Sequence, residues 1–428
     1  MKPRPDLLDK KSPSGVEVFQ LTEDPDAPSS HIYMEAQIFT PDSRRLVLWS
    51  SAAARPGAVR PSGDRLVLCD LEDHGRLTAL TDEPRVRGPA ISPDGLYLYY
   101  FVNETALNAG RVILRRVRLD GTDRQTVVVL DHPLPGTRNL LGGLHVLSTI
   151  SSDGRRIVTA GFLGDGISQE PPFGLIVFDL QKATAELILK GPTWTTPHPQ
   201  YCRSTDPDAS HDLLIQENHG SLTDPTGRKL RNVDSGPGLD IHVVRDDGSN
   251  FRNMPWGRDQ HEYCQGHQVW RGRSTAAIAT VGSPAKGHWS SDPCQWFERI
   301  IESTPVPHDG HTGCLAPDAR RNDLSRSFSG QPRFFHFATD IQGQRLIIDN
   351  APAPERGCLL FLATLGKPLE DPVRRWTYLL DTQTSFWKNV HPHPFLSPDG
   401  SLGFFNSDET GISQAYMISG LDNVGAHR

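Results

Sequence analysis

The segment HPHP (391–394) carries two imidazoles two residues apart. On an extended segment residues i and i+2 project to the same side, and the flanking prolines restrict the backbone, so His391 and His393 could meet one metal ion. Three other short motifs offer histidines: QENHG (216–220) gives His219, GHQVW (266–270) gives His267, and FHF (335–337) gives His336. Taken singly, each reads more readily as a structural, hydrogen-bonded or packed residue than as a functional one. Imidazole and oxygen donors without thiolate suit manganese, iron, nickel or zinc. A neutral imidazole is also suited to act as a general base near neutral pH. Two acids accompany these motifs, Glu217 beside His219 and Glu262 beside His261. A glycoside hydrolase would need two such carboxylates flanking the bond it cuts.

These residues need elements that bring them together, and a repeat provides them. ISPDGLYLYYFVN (91–103) reads as an apolar residue, a Ser-Pro-Asp-Gly turn and a half-buried strand. FTPDSRRLVLWSS from Phe39, ISSDGRRIVTAGF from Ile150 and LSPDGSLGFFNSD from Leu396 repeat it closely. Weaker copies begin at Tyr201, Val269 and Phe337, making seven in all. Second hairpins lie between them, such as LIVFDLQKATAELIL (175–189) and IHVVRDDGSNFRNM (241–254). Two hairpins per repeat give about four antiparallel strands, which is one blade of a propeller.

The pattern predicts one seven-bladed β-propeller over 1–428, its ring closed by VEVFQLT (16–22) sharing the last blade with QAYMISG (414–420). Two separate all-β domains are the alternative, but no Pro/Ser tract divides the chain. In a propeller, residues ahead of the turn signature lie near the central channel, where several blades can present side chains to one point. The irregular stretch 282–334, with His288, His308 and His311, is too long for an ordinary connection and predicts a lid over that channel.

A net charge of −7 gives no basic footprint for nucleic acid or an anionic membrane. No run approaches 18 apolar residues, and MKPRPDLLDKKSPSG at the start has no apolar signal segment, so a soluble cytoplasmic protein is expected. The cysteines at 69, 202, 264, 294, 314 and 358 form no CxxC pair and read as lone buried thiols.

The combination of HIYMEAQIFTPDSRRLVLWSS, HPQYCRSTDP followed by QENHG, GHQVW, FHFATDIQGQRLIIDN and HPHPFLSPDGSLGFFNSDETGISQAYMI resembles the oligogalacturonate lyases, polysaccharide lyase family 22. The motifs follow the family's order along nearly the whole chain. The resemblance implies a cytoplasmic seven-bladed propeller that splits short pectin fragments by β-elimination, with a manganese-type ion held by histidines and a glutamine. It implies that His267, His391 and His393 are metal ligands and His219 the catalytic base, with Arg203 neutralising charge. Tyr201, Tyr263 and Trp270 would be stacking surfaces for a sugar, and His336 would reach the same channel as a substrate contact. One departure stands out: the family's metal-binding glutamine falls at Lys388 here, and Gln383 is only a distant substitute.

The implied chemistry accounts for such a set. Elimination in a uronate removes the C5 proton beside the carboxylate and expels the oxygen on C4, leaving a 4,5-unsaturated sugar. That proton is barely acidic while the carboxylate is ionised, so a cation must offset the charge that develops. The rivals are a glycoside hydrolase on the same scaffold and a non-catalytic propeller that binds a sugar or protein. The oligomeric state is left open by the sequence.

Overall fold

The computed structural model describes residues 1–51, 65–107, 110–231, 239–256, 263–282, 298–308, 319–351, 357–386 and 390–424. Among these there is no α-helix, and no helix is long and apolar enough to cross a membrane. The strands form seven antiparallel sheets in chain order, plus one two-stranded flap, Leu222–Thr223 with Lys229–Arg231. Each sheet is a blade whose first strand is innermost.

Those inner strands are Ser29–His31, Val86–Ile91, Thr149–Ile150, Gln200–Tyr201, Tyr263–Trp270, Phe334–Thr339 and Phe395–Leu396, one from each blade. Each runs into the predicted turn, and the turn chemistry explains why the repeat is legible. In blade 2, Ser92 Oγ bonds Asp94 at 2.5 Å while accepting the Tyr97 N–H at 3.0 Å, and Gly95 sits at φ +72°. A left-handed residue there closes the turn at no steric cost only if it is glycine. Ser151 with Asp153 and Ser397 with Asp399 repeat the bond in blades 3 and 7, both at 2.6 Å.

The ring closes as expected. Gln414–Ser419, the last strand of the chain, pairs antiparallel with Glu17–Gln20, and Lys2–Pro3 adds to the outer edge. Arg4 ties this seam by bonding Glu409 and Gln20. The apolar core lies between blades rather than within one: Val18, Leu360, Phe405, Tyr416 and Ile418 form one cluster across the seam of blades 6 and 7. No blade can cover both its faces alone, so stacking in a ring is what buries them.

The described parts of the stretch 282–334 depart from the lid expectation. Arg299–Ser303 and Arg321–Asp323 are the outer strands of blade 5, and Val306–Pro307 pairs with Arg252–Asn253 at the edge of blade 4. His308 bonds Asn253 at that edge, away from the axis. The adjacent apolar residues Ile300 and Ile301 pair in the blade and are both buried, and only their distance from the previous signature hid them. His288 and His311 lie outside the described residues. Cys69, Cys202 and Cys358 are buried free thiols, Cys264 is buried, and Cys294 and Cys314 lie outside the described residues.

Candidate metal and catalytic site

Two inner strands carry bulges where their histidines sit. In blade 6 the pairing shifts between Phe334 and Phe337, and in blade 5 between Cys264 and Gln268. A bulge adds a residue against the partner strand and re-aims the side chain there. His336 and His267 are thereby turned toward one another, ring centroids 4.6 Å apart.

The blade 5 bulge depends on Gly266, at φ +79°, where a Cβ would fall 2.1 Å from Gln216 Oε1 of the neighbouring blade. Gly266→Ala is expected to cost about 2–4 kcal/mol, from the left-handed backbone and the overpacking together. A fall in the urea midpoint without a change in its slope checks this.

The HPHP segment reaches the same point by a different geometry from the extended one expected. His393 adopts φ +43°, a left-handed conformation uncommon for a residue with a Cβ. The segment is held there because the Pro392 carbonyl accepts from His31 Nε2 at 3.0 Å and from the Asn406 backbone N–H at 2.8 Å. His336 then lies 4.2 Å from His393 and 5.1 Å from His391, centroid to centroid. Ligand atoms of His336, His391 and His393 all fall within 4.8 Å of one another.

This donor set fits a divalent ion. Asp349 accepts from His336 Nδ1 at 2.8 Å, which fixes the tautomer and leaves Nε2 with its lone pair toward the cluster. Burial pushes the Asp349 carboxyl up to about 7, against the backbone hydrogen bonds it accepts. Burial, followed by the neighbouring His336, His198 and His391, holds His267 well below the usual imidazole range. Crowded imidazoles kept neutral are the form in which histidine ligates.

His336 is therefore placed as a member of the cluster and not as the sugar contact expected of it. At 2% exposure it cannot reach a ligand in the channel mouth. Gln383 is exposed and lies in a turn at φ +53°. Lys388 lies outside the described residues.

His219 directly follows the second strand of blade 4, Asp212–Asn218, and Asp240 lies near the start of the strand paired with it, Leu239–Arg245. Both stand on the rim at which the inner strands of blades 5 and 6 begin, the rim of the histidine cluster. His219 Nε2 lies 2.9 Å from Asp240 and 3.5 Å from Glu217. Glu217 also bonds His242 at 3.2 Å and accepts from Thr193 at 2.6 Å. Burial of the His219 ring works against its charge, but the hydrogen bonds to Asp240 and Glu217 outweigh it and raise the imidazole to about 9. Burial would likewise raise Glu217, yet the bonds from His219, His242 and Thr193 hold it well below the carboxylate range.

The remaining expected residues separate. Tyr201 is 1% exposed, its hydroxyl donating to Asp246 at 2.9 Å, and Trp270 is packed in the blade 4–5 core with its Nε1 donating to the Gln200 carbonyl at 2.9 Å. Neither offers a face to a sugar, because both rings are buried with their polar atoms bonded inside the protein. The strand of Tyr263 is placed, while its side chain and Glu262 and His261 lie outside the described residues. Arg203 sits further along the axis, beside Glu35 and at the end of the channel away from the histidines. Glu35 itself, in HIYMEAQ, bonds His198 Nδ1 at 3.3 Å and was not singled out by any motif.

No protein-family model and no curated protein matches the chain. Solved structures do resemble it. One is an oligogalacturonate lyase in complex with manganese, 18% identical with a TM-score of 0.64, covering 98% of this chain and 96% of that one. Another is an oligogalacturonate lyase from Vibrio parahaemolyticus, also 18% identical with a TM-score of 0.64, covering 96% and 95%. A prolyl endopeptidase is more distant, 13% identical with a TM-score of 0.50, covering 92% of this chain and 50% of that one. At these identities the likeness establishes the seven-bladed propeller fold.

Proposed function

We propose that this propeller is a metal-dependent lyase that cleaves a uronate-containing, oligogalacturonate-like oligosaccharide by β-elimination, acting in the cytoplasm with Mn²⁺ as its ion. The observation that carries the proposal is the gathering of four imidazoles from three blades, with Asp349 behind one of them. His267, His336, His391 and His393 would hold the ion. When bound, the ion supplies positive charge against the uronate carboxylate, which makes the adjacent C5–H more acidic.

His219 would take the C5 proton. With Nε2–H donating to Asp240, its Nδ1 carries the lone pair of the neutral ring. The C–H electron pair becomes the C4–C5 double bond and the C4–O bond breaks, the leaving oxygen collecting a proton. Asp240 and Glu217 orient the ring and stabilise the imidazolium it becomes.

Hydrolysis is the weaker reading. It needs a carboxylic acid held protonated beside a second carboxylate. Glu217 is held in the opposite sense, ionised by three hydrogen-bond donors.

The test is ultraviolet absorbance of a 4,5-unsaturated uronate during incubation of the protein and Mn²⁺ with oligogalacturonides and other uronate oligosaccharides. A rise abolished by chelator is expected. Sugar release with no rise on any substrate would refute elimination.

A further inference from the structure

The far end of the axial channel holds a cavity of about 320 Å³ to which all seven blades contribute. Its walls come from the ends of the inner strands and the turns after them, including Phe39, Ile91, Ile341 and Leu396. Two guanidiniums line it, Arg203 of blade 4 and Arg273 of blade 5. Among the described residues no side-chain hydrogen bond or ion pair reaches either of them.

Arg203 has one acid in its field, Glu35, which lies deeper in the channel. Glu35 is 6% exposed, with Oε1 buried and unpartnered and Oε2 toward His198. Burial holds its carboxyl well above the usual range, with Arg203 pulling the other way, so the arginine's charge is left largely uncompensated. Arg203 is half-buried and Arg273 exposed at the mouth, so an anion entering the recess meets two guanidiniums that no side chain of the described residues neutralises. A guanidinium fork matches a carboxylate in shape and charge, and the apolar walls suit the body that carries it.

We infer that this mouth of the channel is a second binding site, separate from the histidine cluster, for a small organic carboxylate with an apolar flank. Arg203 and Arg273 grip the carboxylate, and the inner-strand side chains of several blades enclose the remainder. The site stands whether or not the histidine rim performs elimination.

Benzoate and its uncharged counterpart benzamide are the probes, titrated calorimetrically into the full-length protein. Benzoate should bind saturably, near the millimolar range expected of so small a ligand, and benzamide should not. Arg203→Gln and Arg273→Gln should each weaken benzoate by about tenfold, the loss of one charged hydrogen-bonding partner. Chelator and His391→Ala should leave benzoate binding unchanged. Absence of saturable binding to the unaltered protein would overturn the inference without reference to any variant. So would equal binding of benzamide, or loss of benzoate binding on chelation, which would return the anion to the histidine rim.

Discussion

His219→Ala is expected to lower kcat/KM on the uronate substrate by about 10²–10⁴-fold, the usual contribution of a positioned base. The unaltered protein should carry the signature of that base in its pH profile. Asp240 and Glu217 raise the imidazole to about 9 in spite of its burial, so the proton-accepting form is scarce at neutrality. Activity should therefore climb about tenfold per pH unit and level off near pH 9. Asp240→Asn removes one of the two carboxylates, lowers the pKa and should shift the rising limb to lower pH. Steady-state rates on the unaltered protein and both variants check this. A profile flat between pH 6 and 9 would contradict the assignment of His219.

His336→Ala should strip the ion. A partner one step behind a ligating imidazole is worth about 10–100-fold in metal affinity. Direct removal of a ligand should cost at least about 100-fold, with a parallel loss of activity at low Mn²⁺. Asp349→Asn keeps the ring but weakens the bond that fixes its tautomer, and should fall in the 10–100-fold range. Competitive titration against a metallochromic chelator gives both numbers. Unchanged affinity in His336→Ala would mean that His336 is a packing residue and that the fourth ligand lies elsewhere.

Much of the frame was legible because the turn chemistry is local. A Ser, an Asp and a Gly in fixed order make the same bonds in blades 2, 3 and 7, so each copy announces a blade wherever it occurs. The closing strands were legible for a similar reason: 16–22 and 414–420 are apolar segments with no partner of their own in sequence.

The site was only half legible. His391 and His393 share one motif, but what brings them to His336 and His267 is a left-handed turn at His393 and two bulges. These bulges shift the register by one residue in blade 6 and two in blade 5, which the apolar pattern of the strands does not reveal. Asp349 did leave one, an acid inside the apolar run RLIIDN, since a buried charge needs a partner. Tyr201 and Trp270 misled because an aromatic beside a binding motif looks the same whether it faces the channel or is buried in the core. Arg203 misled because its nearness to HPQ in sequence hides that the chain runs on past Glu35 to the cavity at the other mouth.

The most direct measurement on the central claim is the mass of the products formed from a single defined oligogalacturonide in ¹⁸O-labelled water with Mn²⁺ present. Elimination predicts two fragments whose masses sum to that of the substrate, with no label at the new ends. Fragments that together are heavier by one labelled water would contradict it.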